Sequence, residues 1–318
     1  MEMVILLQYM SRWFLMFILA NNAMGLLRSQ SPLDSTRKGF AKGRAGIFSQ
    51  SYLDLKNGFG TGRYLREEKS TTRLAFPFDS EGYKLIFEDN FDSLNRKVWQ
   101  VGQPWGRFHA QTPHQYFGDS EVYVKEGILI LENRYAPKVF KHADTFLKIP
   151  YGTGLINTYY SNQFKYGYFA IRSKNPTGPA TWPAFWLTGR DNWPPEIDIF
   201  EMYGRCDGKS VNEQTMTLHF GKIETKTKTQ VTKSIRLSED TDSEFHIYSC
   251  LWEPGRVTFY TDGVKVRTIK LNGWMNQFYR EPMYLLVNNA VDYRFLKCLD
   301  NSTLPVKLEV DWIRVYSR

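Results

Sequence analysis

Three carboxylates crowd into the stretch WPPEIDIFEMYG, residues 193–204: Glu196, Asp198 and Glu201. Two carboxyl groups flanking one bond are what glycoside hydrolysis requires, one as nucleophile or base and the other, protonated, as general acid. Retention wants them about 5–5.5 Å apart, inversion about 6.5–9.5 Å. Ile197, Ile199 and Phe200 are strand formers, so the run reads as a β-strand. Strand side chains alternate, which puts Glu196 and Asp198 on one face and, in strict alternation, Glu201 on the other. One extra residue, a β-bulge, returns Glu201 to the side of the other two. A strand advances about 3.3 Å per residue, so spacing alone does not choose the working pair, and Glu196 with Asp198 is nominally the nearer.

An isolated acidic triplet is ordinarily a solvated strand face. Here TWPAFWL, residues 181–187, brings Trp182, Phe185 and Trp186 just ahead of the acids. Indole faces beside carboxylates suit sugar rings, whose C–H faces stack while their hydroxyls seek polar partners.

The elements that must position these groups begin near Tyr83. From there short β-rich runs recur with turn signals between them, among them YKLIFE, VYV, GILILEN, GLINTYY, YGYFAIRSK, WPAFWLT, EIDIFEMY, TMTLHF, FHIYSCLW, PMYLLVNNA and VKLEVDWIRVY. RVTFYTDGVKVRTI adds a hairpin turned at Asp262-Gly263. The pattern predicts a β-sandwich or barrel and leaves strand order open. ETKTKTQVTK, residues 224–233, reads as a solvated hairpin or loop.

With 318 residues, the chain has room for one large all-β domain or two ordinary ones. Aromatics at 16% and charged residues at 23% support a sizeable core. The net charge of +8 sits largely in the leader: residues 1–80 hold 11 Lys and Arg against 6 Asp and Glu, the other 238 residues 30 against 27. A nearly neutral body argues against nucleic acid as a partner. Cys206, Cys250 and Cys298 show no metal-ligand spacing and read as structural thiols, with room for one disulfide. Residues 1–24 carry Arg12, an apolar run Trp13–Ala20 and small residues near Ala23, which resembles a secretory signal peptide. Gln8, Ser11 and Arg12 interrupt it as a membrane span, which wants roughly 18 apolar residues. Residues 25–80, rich in Ser, Gly, Lys and Arg, read as a linker or loosely attached arm, leaving 81–318 as the folded domain.

Glu196-x-Asp198-x-x-Glu201 resembles the signature of glycoside hydrolase family 16 in its bulge-containing form. FEDNFDSLNRKVW, VYVKEGILIL, YGYFAIRSKNPTGPATWPAFWL, HIYSCLWEPGRVTFYTDG, PMYLLVNNAV and VDWIRVY follow in the order of that family's segments, so the resemblance spans residues 83–317. It implies an all-β fold, a jelly-roll sandwich of two curved antiparallel sheets with a concave substrate cleft. It makes Glu196 the nucleophile and Glu201 the general acid/base, with Asp198 between them tuning their charge. Arg172, Asn288 and His219 match positions that line the cleft or touch sugar. Trp105, His109 and His114 fall in a loop that shapes the cleft, Trp105 as a sugar contact. Asp311 and the Gly127 carbonyl match a structural Ca²⁺ site, and catalysis itself needs no cofactor.

The expected activity is that of a secreted, monomeric retaining endo-glycosidase whose partner is a β-linked polysaccharide, first a β-1,3- or mixed-linkage glucan. The alternatives are a red-algal galactan hydrolase, with Arg107 and Arg190 in cleft loops to meet sulfate, a transglycosylase, or a non-catalytic glycan-binding jelly roll. Ala170 stands where lichenan-cleaving members carry a Glu, Pro195 where laminarin-cleaving members have Gly, and GQPWGRFH departs from the laminarin-type loop. The bulge separates the chain from plant xyloglucan transglycosylases.

Overall fold

The computed structural model describes residues 76–110, 112–207, 212–222, 227–238 and 240–318. The expected signal peptide and nearly all of the expected arm lie outside these residues. The described part is built from sixteen strands: β1 (Lys84–Asp89), β2 (Gln100–Val101), β3 (Gln115–Phe117), β4 (Val122–Lys125), β5 (Ile128–His142), β6 (Thr145–Asn157), β7 (Gly167–Lys174), β8 (Thr181–Gly189), β9 (Glu196–Glu201), β10 (Glu213–Lys222), β11 (Thr227–Arg236), β12 (His246–Glu253), β13 (Arg256–Thr261), β14 (Val264–Lys270), β15 (Met283–Val291) and β16 (Val306–Ser317). Only short 3-10 turns interrupt them among the described residues.

One sheet runs β11-β10-β9-β8-β15-β6, with β2 on the last strand. The other runs β5-β16-β7-β12-β13-β14, with β1 and β4 added at β16 and β5. The long β5–β6 hairpin joins the two, so hydrogen bonding passes unbroken from sheet to sheet. All pairings are antiparallel except β3 with β6.

Alternation explains the layering. On β7, Phe169 and Ile171 enter the core between the sheets, while Tyr168 and Ala170 join a smaller cluster on the opposite face with Leu251, Tyr260 and Trp312. Phe76 and Phe78, from the expected arm, cover this outer cluster edge-on to Tyr168. On β15, Met283, Leu285 and Val287 face the core, while Tyr284 and Leu286 face the other way. Ile197, Phe185, Leu218, Ile313 and Phe259, fully buried, meet in the same core from both sheets. Each side chain of that size contributes about 1.5–3 kcal/mol by leaving water, which is what holds the sheets face to face.

The Asp262-Gly263 turn forms as expected, both residues at positive φ (48° and 76°) between the paired Thr261 and Val264. Residues 227–233 of the segment read as a solvated hairpin or loop belong to edge strand β11, which runs on to Arg236 and pairs with β10 over ten residues in an antiparallel hairpin. Its Lys and Thr side chains keep an exposed edge from attracting another chain. No helix among the described residues is long and apolar enough to cross a membrane.

Candidate active site

The bulge is present and lies between Asp198 and Glu201. On the β8 side Phe185 pairs with Phe200 and Trp186 with Asp198, leaving Ile199 unopposed. On the β10 side Thr215 pairs with Glu201 and Thr217 with Asp198, so Met216 alone faces two residues. Ile199 and Phe200 both enter the core and are fully buried. Two consecutive large apolar side chains pulled inward are what turn Glu201 back to the face of Glu196 and Asp198. Thr215, Thr217 and His219 of β10 share that face, as do Trp182, Ala184 and Trp186 of β8 and Asn288 of β15.

Each acid has its own partners. The Trp193 indole N–H donates to Glu196 Oε2 at 2.8 Å. His219 Nε2 lies 3.4 Å from Glu196 Oε1 and 3.2 Å from Asp198 Oδ2, between the two carboxylates. The Trp182 indole N–H donates to Glu201 Oε1 at 3.1 Å. The Tyr203 hydroxyl bonds to the same carboxylate, and its burial beside Glu201 holds the phenol well above its ordinary value, as a neutral donor. Burial, then repulsion from Asp198, pushes Glu196 up to about 8. Burial, then repulsion from Glu201, pushes Asp198 well above the carboxylate range.

The pair therefore holds a proton at neutral pH, and their titrations belong to the pair rather than to either residue. Asp198 is the deeper of the two, its side chain 4% exposed against 11% for Glu196. Glu196 has a dedicated N–H donor in Trp193, which favours its ionised form. The proton accordingly sits on Asp198. With Asp198 neutral, the chief repulsion acting on Glu196 disappears, and Glu196 is left as a carboxylate.

The aromatic platform is locked from below. The Trp186 indole N–H donates to Asn288 Oδ1 at 2.8 Å, and Asn288 Nδ2 donates to the Trp182 carbonyl at 3.0 Å. Asn288, buried, thus ties the Trp186 indole to the backbone at Trp182. Trp186 also packs with Tyr159, Tyr284, Leu286, Leu155 and Phe117, an apolar floor continuing from the acids across β15 to β6. Trp105 lies in the turn closed by Gln103 and Gly106, beyond β2, four strands from β9. His114 sits with its ring nitrogens 2.9 Å from the Thr112 and Val291 carbonyls, a structural tie to the end of β15. Burial pushes His109 down to about 4. Arg107 is paired to Asp119, and Arg190 lies over the Tyr159 ring.

Arg172 is a correction. It lies on β7 of the other sheet, on the face turned away from the core, where its guanidinium donates to Asp311 Oδ2 at 2.6 Å and covers the Phe245 ring. Strand alternation fixes its direction, but which sheet β7 joins is a long-range fact. The same contact bears on calcium. Gly127, at the turn between β4 and β5, neighbours Asp311 through the pairing of Leu129 with Val310. Arg172 already supplies the counter-charge on that carboxylate, and a divalent ion on the same oxygens would meet a fixed cation. The hydrogen bond from Arg172 takes Oδ2 alone, so the buried Oδ1 is the oxygen on which the expected Ca²⁺ site turns. Elsewhere, one ligand atom each from Glu196, Asp198 and His219 lies within 4.8 Å of the others, a set able to take a small cation.

Residues that the sequence reading missed complete the site. Trp193 stands three positions before Glu196, a signal visible in WPPE. Tyr203 stands two after Glu201. Arg294, held by Asp292 at 2.6 Å, lies over both the Tyr203 ring (4.7 Å) and the Trp182 ring (5.6 Å), and nothing local announces it. Cys206 and Cys298 form a disulfide, and Cys250 is a buried free thiol.

The sequence model of the family "Glycosyl hydrolases family 16" matches residues 116–314. Endo-1,3-1,4-beta-glycanase EglC of Rhizobium meliloti is 26% identical over 85% of this chain and 60% of its own length. Glucan endo-1,3-beta-glucosidase A1 of Niallia circulans is 29% identical over 74% of this chain and 38% of its own. This chain therefore spans less than two thirds of either relative. The crystal structure of SCLam, a non-specific endo-beta-1,3(4)-glucanase, superposes with a TM-score of 0.63 at 26% identity, over 77% of this chain and 94% of that one.

Proposed function

This chain belongs to glycoside hydrolase family 16, and on that premise we propose that it is a retaining endo-β-glucanase acting on β-1,3- or mixed-linkage glucan. The observation that carries the reading is the bulge at Ile199–Phe200, which gathers Glu196, Asp198 and Glu201 on one face beside two indoles. The glucanase names of the two relatives and of the superposed structure support the substrate class.

In the first step the Glu196 carboxylate attacks the anomeric carbon while Glu201 gives its proton to the departing glycosidic oxygen. The C–O bond breaks as the glycosyl–Glu196 ester forms. In the second step Glu201 takes a proton from water, whose oxygen displaces Glu196 and restores the anomeric configuration. Asp198, carrying the pair's proton, spares Glu196 a neighbouring negative charge. Trp193 and His219 orient the nucleophile, Trp182 and Tyr203 the acid/base, and the Trp186 floor supports the sugar. Family 16 enzymes need no catalytic cofactor, so the Glu196–Asp198–His219 set serves the reaction through protons and hydrogen bonds.

The enzyme works as a monomer in an oxidising, extracytoplasmic compartment. The Cys206–Cys298 disulfide supports that location, together with the leader resembling a signal peptide. The test is oligosaccharide release from laminarin, lichenan, agarose, porphyran and carrageenan, with Glu196→Gln in parallel. Products from the glucans alone, absent in the variant, are expected. Products from a galactan alone, or glucan cleavage by the variant, would refute the reading.

A further inference from the structure

Both hydrogen-bond donors on Glu201 rest on one guanidinium. Trp182 donates to its carboxylate, Tyr203 bonds to it, and the two rings are neighbours at 5.6 Å between centroids. Arg294 covers Tyr203 at 4.7 Å and Trp182 at 5.6 Å. Its guanidinium is itself fixed by Nε and Nη2 bonds to Asp292, at 2.9 and 2.6 Å. Asp292, fully buried, also receives the Arg294 backbone N–H at 3.0 Å, so side chain and backbone are clamped together.

Tyr203 and Arg294 come from different segments, the loop after β9 and the 3-10 turn Tyr293–Cys298 after β15. Cys206 lies three residues beyond Tyr203 and Cys298 four beyond Arg294, and their disulfide joins the segments. The contact between Arg294 and Tyr203 is thereby closed into a covalent ring. On the other side, Gly204 receives the Ala180 N–H and gives its own to the Thr181 carbonyl, which sets the Tyr203 loop against β8. A Cβ at Gly204 would collide with the Gly178 carbonyl, so only glycine permits that approach.

We propose that Tyr203 and Arg294 are positioning residues for Glu201, kept in register by the Cys206–Cys298 disulfide, and that delivery of the proton to the leaving group depends on them. This rests on the assignment of Glu201 as acid/base. A planar guanidinium over two rings fixes their edges, and with them the two donors, at a cost in freedom already met by the Asp292 fork. Loosening it displaces the acid from the line of the leaving oxygen. A displacement of about 1 Å is worth on the order of a hundredfold in such a step.

The test separates leaving groups. kcat/KM is measured for Arg294→Met, Tyr203→Phe, Cys206→Ser with Cys298→Ser, and the wild type reduced and alkylated. Each is assayed on the polymeric β-glucan and on a 2,4-dinitrophenyl β-oligoglucoside, whose leaving group departs without a proton. Glu201→Ala is the benchmark. The expected result is a loss of about ten- to a hundredfold on the polymer and less than about threefold on the aryl glycoside. Equal loss on both substrates, or no loss on the polymer, would overturn the inference. If Glu201→Ala itself lacks this selectivity, the acid/base assignment falls and the inference with it. If Glu201→Ala has the selectivity and the other variants lack it, the inference alone fails.

Discussion

The Trp193 indole N–H points at Glu196 Oε2 from 2.8 Å, three residues upstream of the acid it serves. A donor aimed at Oε2 stabilises the carboxylate and fixes its orientation, with His219 Nε2 3.4 Å from Oε1 on the other side. Removing a hydrogen bond to a charged group costs about 1.5–3 kcal/mol, which is about ten- to a hundredfold in rate. Trp193→Phe, which keeps the ring, is expected to lower kcat by that factor with a nearly unchanged KM in steady-state assays on glucan.

The raised acids make the site a weak point of the fold at alkaline pH. Burial and mutual repulsion raise the Glu196–Asp198 pair, Glu196 from 4.5 up to about 8 and Asp198 well above the carboxylate range, so the folded pair keeps one proton, carried by Asp198. Between those values the folded state holds a proton that the unfolded state has released, so stability falls as pH rises through the window. Asp198→Asn is therefore expected to raise Tm by about 2–4 °C at pH 8, with the gain shrinking toward pH 4 and activity lost. A Tm gain independent of pH would contradict the account.

Deleting Ile199 restores regular alternation. Glu196 and Glu201 are then four positions apart and share the cleft face without a bulge, Phe200 fills the single inward place, and one fully buried side chain is lost. The expected outcome is activity that survives, lower by no more than about a hundredfold for a shift of about 1 Å in the acids, and a fold weakened by about 2–5 kcal/mol in urea unfolding; complete loss of activity in a folded variant would contradict the account.

Arg172 and Asp311 form a nearly buried ion pair, their side chains 15% and 6% exposed. Because Arg172 supplies a full counter-charge at Asp311 Oδ2, EDTA and added Ca²⁺ should each move Tm by less than about 1 °C. Arg172→Met leaves the Asp311 charge unpaired and should cost about 3–5 kcal/mol. A large drop in Tm with EDTA would restore the calcium site.

The role of each acid came from the family resemblance and not from the spacing. The three acids and the bulge that gathers them were legible because all are written within six residues, Glu196 to Glu201, and strand alternation has a period of two. The sandwich was legible for the same reason: Phe169 and Ile171, or Met283, Leu285 and Val287, mark a core face by spacing alone. Arg172 misled because its own strand shows which way it points and not which sheet it joins. Arg294 was invisible because its partners Tyr203 and Trp182 lie about ninety and more residues away. The outer half of the β5–β6 hairpin was missed as strand because residues beyond Asn133 are largely exposed on both faces, with no apolar alternation to read. Cys206 and Cys298 carry no spacing signal, since 92 residues separate them.

The central claim is that Glu196 forms the covalent bond to the sugar. The direct measurement is peptide mass spectrometry after incubating the protein with a 2-deoxy-2-fluoro β-oligoglucosyl fluoride, which forms the ester and hydrolyses slowly. The account predicts one glycosyl adduct, on Glu196, absent in Glu196→Gln. An adduct on Asp198 or Glu201, or an active enzyme that accumulates none, would contradict it.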